Sequence, residues 1–490
     1  MGWAQICMVM TILAYYNVLL AYSCIYIISS CMTPLPWENK GSEAFWAEDV
    51  LNEYGEGNEE LGPLYWKVVV ALIFVYVFVF LSVGFGKKLL TSVTWVTVLV
   101  PLVLMVILFG RSVGLPGASD GITFYLGKFE WNELADVKLW ASACGQIIFS
   151  LSPGMGTGVT LSSSIKPKED VLKVCVSVAF CNSMFSLFGG FAIFSILGNL
   201  AYETDQDVSV IAEASGTGLA FISIAQGITH FGAAANAMSV LFFLMILSLG
   251  LNSTFAWLET VIDVTKELCV KHEIELNHTQ NTLALCVVLF LMSLPFCTRG
   301  GIGLLDVVDH FVGAYFLLFS CCVESIMFNM DFGWDRFVSV FHDATFGNAS
   351  TPEGRKIPYE KAWKVCVCYI TPVATFLLLL SEFIDDAFIT MFGEGDYSTG
   401  LVAVGWTFFG SLVCLTFSML IWDWKAPTAL PPFPAVLPTT HDDSVPTKTA
   451  PAAAPAASPA PAATSGLSSV STSPPSVPVV VGDRGEDSTL

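Results

Sequence analysis

Ten blocks of mostly apolar residues, each at least 18 long, dominate the chain and fall near 3–32, 64–86, 89–110, 139–164, 171–200, 235–265, 281–298, 301–333, 362–382 and 399–422. A stretch of that length crosses a bilayer as a helix, since lipid offers the backbone no partners and every N–H and C=O must be satisfied within the segment. Charged residues make up 13% of the 490, against roughly 25% in soluble proteins, too few to cover so much apolar surface in water. The pattern predicts an all-α polytopic membrane protein of about ten transmembrane helices, with the lipid bilayer as its solvent. The first block is too long for a cleavable signal peptide and lacks the basic flank of one. A shorter amphipathic stretch, Ala212 to Ala234, reads as a helical extracellular loop.

Basic residues set the sidedness. Twelve of the 21 Lys and Arg sit in one set of loops, among them Lys87, Lys88, Lys166, Lys266, Arg336 and Lys364. The opposite set is acidic, as in Glu48, Asp49, Glu53, Glu56 and Glu59. Both termini are therefore expected in the cytoplasm, and the membrane is expected to be the plasma membrane. A net charge of −21 argues against nucleic acid as a partner, because phosphates call for a basic surface. Most of the 14 cysteines lie inside apolar blocks and none forms a CxxC pair, so they read as small apolar residues. After a transmembrane domain over 1–424, residues 425–490 are rich in Pro, Ala, Ser and Thr, cannot bury a core and should be disordered. Their end, Ser488-Thr489-Leu490, fits the loose three-residue pattern of a PDZ-type ligand.

Polar groups inside spans carry the functional information. The block at 139–164 reads Gln146-Ile-Ile-Phe-Ser-Leu-Ser-Pro-Gly-Met-Gly156 at its middle. Pro153 removes a backbone donor and two glycines weaken the helix, which predicts a broken helix near 152–156. Groups freed there serve an ion or a substrate, unless the break is a plain proline kink. Gln146 and Ser150 are four apart and share a face, and Asn182 and Ser186 repeat that spacing in the next block. Leu249, Asn252 and Ser253 put one carbonyl and two side-chain oxygens on one side of a helix, a set suited to a hard cation. One such pair could equally glue two helices together; three of them beside a broken helix point to a site.

These and other pieces resemble the neurotransmitter:sodium symporter family, which couples sodium, and usually chloride, to uptake of amino acids, amines or osmolytes. The matching pieces are Tyr15-Tyr16-Asn17, Leu35-Pro36-Trp37, Phe45-Trp46, Leu115-Pro116-Gly117-Ala118, Phe149-Ser150-Leu151, Gly218-Leu219-Ala220-Phe221-Ile222, Leu249-Gly250-Leu251-Asn252-Ser253 and Gly300-Gly301-Ile302. They run in family order over residues 1 to about 425. The resemblance implies a LeuT-type fold of two inverted five-helix repeats. Met1 corresponds to the loop before the family's third span, so the fold is expected to be incomplete, with the first two helices absent and no transport by this chain alone.

Roles follow from the resemblance by position. Ser150 and Asn182 would be ligands of a first sodium ion, and Leu249, through its carbonyl, Asn252 and Ser253 those of a second. Animal family members commonly have Asp at position 252, so Asn removes a counter-charge. Gln146, Ser150 and Ser186 would bind chloride; chloride-independent relatives carry a carboxylate where this chain has Ser186. A substrate pocket would be lined by Leu13, Tyr16, Phe149, Ser152, Met155 and Trp257, with Ser152 a donor to a substrate carboxylate. Tyr16 and Phe149 resemble the aromatic lid of an outer gate whose acidic half would be Glu324. Trp257 stands where relatives carry smaller residues, which argues for a small amino acid. No cysteine lies in 33–63, where animal members have a disulfide, and Ser164-Ile165-Lys166 replaces a cytoplasmic Tyr-Asn-Lys; both favour a nutrient-type carrier.

The leading expectation is thus a sodium- and chloride-coupled symporter with no organic cofactor. Its alternative is a non-transporting membrane protein that associates with or regulates a full-length transporter. A channel is disfavoured because the polar residues cluster at one depth. Nothing supports an enzyme: there is no nucleophile paired with a base, no phosphate loop and no metal motif.

Overall fold

The computed structural model describes residues 2–52, 61–127, 131–163, 170–212, 216–346, 359–386 and 397–425. Among them, nine helices are long and apolar enough to cross a membrane. They are α1 (Gly2–Ser30), α2 (Trp66–Val83), α3 (Lys87–Ser112), α6 (Val171–Thr204), α7 (Ala235–Lys271), α8 (His278–Cys297), α9 (Gly301–Phe332), α10 (Glu360–Ile384) and α11 (Thr399–Lys425). The remaining predicted crossing is present as two shorter helices, α4 (Val137–Leu151) and α5 (Thr157–Ser162), on either side of the foreseen break. No strand forms among the described residues beyond an isolated bridge between Leu64 and Thr298. The tail beyond Lys425 with its PDZ-type end, and the Ser164-Ile165-Lys166 segment, lie outside the described residues.

Helix ends follow local chemistry. Asp170 caps α6 by accepting from the Lys173 amide at 3.2 Å. Asn277 and Gln280 form a reciprocal capping box at the start of α8. Inside the bundle α1 is the most enclosed helix, packed against α7, α2 and α8, with Met8, Val9, Ile12, Leu13 and Val18 wholly buried. Apolar contact does little to hold helices together in lipid, so close packing and buried polar contacts decide which faces meet. Ser30 and Ser239 share a buried 2.7 Å hydrogen bond between α1 and α7, and Ser293 on α8 donates to the Ala14 carbonyl at 2.7 Å.

Two of the short motifs acquire a packing reason. In Leu115-Pro116-Gly117-Ala118, a Cβ at Gly117 (φ +77) would lie 2.5 Å from the Gly198 carbonyl of α6, so only glycine lets the loop lie against that helix. Asn199 completes the contact by donating to the Pro116 carbonyl at 2.9 Å. Trp37, fully buried, donates from its indole to the Ala225 carbonyl at 3.1 Å, while Tyr26 on α1 donates to the Phe221 carbonyl at 2.7 Å. Phe221 stacks on Trp46 with centroids 4.9 Å apart. These contacts fix the Leu219–Thr229 segment, within the predicted helical loop, across the end of α1.

Candidate functional site

The break between α4 and α5 positions most of the candidate residues. Helix α4 ends at Leu151; Ser152 then has φ +54, Gly154 φ +77 and Gly156 φ +75, and the helix restarts at Thr157. Carbonyls freed there find partners on α9. Ser320 donates to the Gly154 carbonyl at 2.7 Å, and the Cys321 thiol approaches the Pro153 carbonyl at 3.3 Å. Glu324, one turn further on, lines the cavity at the break together with Gly154. Protein groups therefore satisfy part of what the sequence left for an ion or a substrate.

Of the first proposed ion set, the structure joins two members. Ser150 on α4 donates to the Asn182 side-chain oxygen on α6 at 2.9 Å, at an exposed position. Ser186, one turn along, is bonded to its own helix through the Asn182 carbonyl at 3.1 Å. Gln146 lies a turn before Ser150, on the wall of a 500 Å³ cavity shared with Phe149 and α9. The second set diverges. Asn252 turns to α3, accepting from the Thr97 hydroxyl at 2.6 Å and donating to the Thr97 carbonyl at 2.7 Å. Leu249 is 39% exposed. The sequence signal for Thr97 was Pro101 four residues on, which has no N–H for the Thr97 carbonyl and leaves that acceptor to Asn252.

Around the pocket, Leu13, Met155 and Trp257 are buried, and the Trp257 ring meets Tyr16 edge-on with centroids 5.1 Å apart. Ser152 spends its hydroxyl on the Phe149 carbonyl at 3.2 Å. Glu324 is not beside the aromatic pair, contrary to the expected gate. It accepts from Gln5 at 3.4 Å and lines a separate 320 Å³ cavity with Ser152, Pro153 and Gly156. Gln5 and Tyr15 are ten residues apart on α1, about 15 Å along its axis. At the Tyr15 level the acid from α9 is Asp309, which accepts from the Tyr15 hydroxyl at 2.5 Å and lines the cavity of Phe149. His310 and Tyr315 both bond Asp386 beyond α10, at 2.6 and 2.7 Å. Sequence reading missed this acidic group; Asp306 and Asp309 inside an apolar block were its signal.

Bonds tie the broken helix to α6 and to α9, and cavities open at the break and beside α4. Residues 38–426 match the family model described as the sodium:neurotransmitter symporter family. The chain belongs to that family. Among similar members are the sodium-dependent serotonin transporter of Drosophila melanogaster (32% identical, covering 78% of this chain and 63% of that protein) and the sodium- and chloride-dependent glycine transporter 2 of Xenopus laevis (31%, covering 75% and 44%). The human sodium- and chloride-dependent neutral and basic amino acid transporter B(0+) is 28% identical over 83% of this chain and 70% of its own length. This chain thus spans less than two thirds of the first two relatives. The symporter family comprises multi-pass membrane transporters, not enzymes, in agreement with the apolar helices.

Proposed function

We propose that this protein is a sodium- and chloride-coupled symporter of a small amino acid or related solute in the plasma membrane, its basic loops facing the cytoplasm. The Ser150–Asn182 bond carries the reading. Both oxygens sit at the end of a broken helix, and rotation of the Ser150 hydroxyl turns its lone pairs, with those of Asn182, toward a bare cation. Gln146 and Ser186, each a turn away, supply donors for chloride, whose charge offsets that of the sodium. The edge-on Tyr16–Trp257 contact fills volume that a bulkier substrate would need, which supports a small substrate. Tyr16 and Phe149 act as its lid.

A second reading has its own support. Both groups of the Asn252 amide are already engaged by Thr97, which favours a helix-gluing role and a protein that associates with a transporter without transporting. Two measurements separate the readings: isotopic sodium binding to the purified chain, and sodium-driven glycine and alanine accumulation in proteoliposomes, alone and beside a transporting relative. The symport reading expects sodium binding that Asn182→Ala abolishes. Accumulation by the chain alone overturns the expectation that these residues do not transport unaided. No sodium binding, with altered uptake by the co-reconstituted relative, overturns symport in favour of the second reading.

A further inference from the structure

Away from the broken helix's two cavities, a third of 430 Å³ lies between α3, α5 and α7. Its walls are mostly apolar, including Trp95 and Val98 of α3 and Leu161 of α5, all exposed where the cavity reaches the helix surface. Two carboxylates one helical turn apart on α7, Glu259 and Asp263, face it. They differ in how they are satisfied. Asp263 is partly exposed and pairs with Lys266 at 3.7 Å. Glu259 is only 7% exposed, and its Oε1 is buried with no hydrogen-bond partner. Lys87 of α3 also lines this cavity, yet no group bonds that oxygen. A buried carboxylate left without its full set of partners is costly, a cost that a donor bound at Glu259 recovers.

The lining decides what kind of donor fits. A bare metal ion needs several converging oxygens, and no group of three His, Cys, Asp or Glu among the described residues could hold one. An ammonium group needs one carboxylate and tolerates apolar neighbours, and an indole face beside it adds cation–π attraction. We propose that this cavity binds an amphipathic organic cation, a protonated amine on a short apolar body, with Glu259 as its counter-ion. The site is separate from the Ser150–Asn182 pair and does not depend on the symport reading.

Dicyclohexylcarbodiimide, which labels carboxyls in apolar surroundings, reads the site directly by mass spectrometry. The full chain is held in phosphatidylglycerol nanodiscs, with Glu324 in its own cavity as the internal control. At ~10 mM, n-butylammonium should lower the Glu259 adduct about fivefold by mass action, leave Glu324 labelling unchanged, and be mimicked by n-butanol not at all. Nanodiscs of phosphatidylethanolamine identify the source. Protection of Glu259 there without added amine assigns the cation to a lipid headgroup, and protection by n-butylammonium alone assigns it to a soluble amine. Equal Glu259 labelling under all conditions, or equal protection by n-butanol, overturns the proposal. Equilibrium dialysis with labelled n-butylammonium gives an independent check: Glu259→Gln, eluting as the parent does on size exclusion, should lose one bound equivalent, and undiminished retention overturns the assignment.

Discussion

Thr97 and Asn252 are joined head to tail across α3 and α7: the hydroxyl of Thr97 donates to the amide oxygen of Asn252, and the amide nitrogen donates back to the Thr97 carbonyl, at 2.6 and 2.7 Å. An amide satisfies both groups at once and a carboxylate cannot, because an ionised acid offers no proton to the carbonyl. Asn252→Asp should therefore lower the unfolding temperature of the purified chain, by the equivalent of about 1–3 kcal/mol for a buried acceptor facing a charge. Thr97→Val, which keeps the carbonyl, should cost less, roughly 1 kcal/mol. A melting curve in detergent decides it. Equal stability of Asn252→Asp and the parent would show the pair to be incidental.

At the broken helix, Gly154 combines φ +77 with tight quarters: a Cβ there would lie 2.7 Å from the Cys321 sulfur and 3.2 Å from the Cys321 amide nitrogen. Gly154→Ala should cost roughly 1–2 kcal/mol for the left-handed backbone alone, and more for the displaced α9. Gly158→Ala, inside α5 with nothing within 4 Å of its Cβ, is the control and should stabilise by up to about 1 kcal/mol. Fluorescence-detected size exclusion after heating gives both values.

Ser186 sits at an exposed position on α6 with its hydroxyl turned back to its own helix. A carboxylate there is tolerated by the fold and places a fixed negative charge one turn from the Ser150–Asn182 bond. Where sodium-driven uptake or sodium binding is measurable, Ser186→Glu should make it independent of chloride. A signal that still collapses in gluconate buffer removes Ser186 from the anion site.

Trp257 is 5% exposed and its ring rests edge-on against Tyr16. Trp257→Gly should cost about 3–5 kcal/mol of stability from the cavity it opens. In return it should admit bulkier amino acids, shifting relative sodium-dependent binding from glycine and alanine toward leucine and phenylalanine. An unchanged order among the four ligands would mean that the indole is packing alone.

Much of this arrangement could be read in advance, and the misses share a cause. Block length gave the crossings, and Pro153, Gly154 and Gly156 gave the break, because both depend on local covalent facts. Which polar groups meet depends on rotation and depth, and apolar helices in lipid carry little periodicity to reveal either. Glu324 illustrates the loss. Between Gly301 and Glu324, helix α9 contains a wider turn with i→i+5 bonding at His310–Phe316. Each extra residue in such a turn rotates everything after it by about 100°. Glu324 was placed by resemblance alone, which carries neither that rotation nor the depth at which it meets Gln5. Asn252 follows the same rule, since its partner on α3 is named only by packing.

The Leu219–Thr229 segment is riveted to α1 by Tyr26 and to the short helix Pro36–Lys40 by Trp37, with Phe221 clamped under Trp46. Sliding that cover sideways would cost two hydrogen bonds and a stacked ring together, so it and the end of α1 behave as one rigid plate. The broken helix is held differently: the carbonyls of Pro153 and Gly154 accept from α9, while at Ser150 one exposed bond reaches α6.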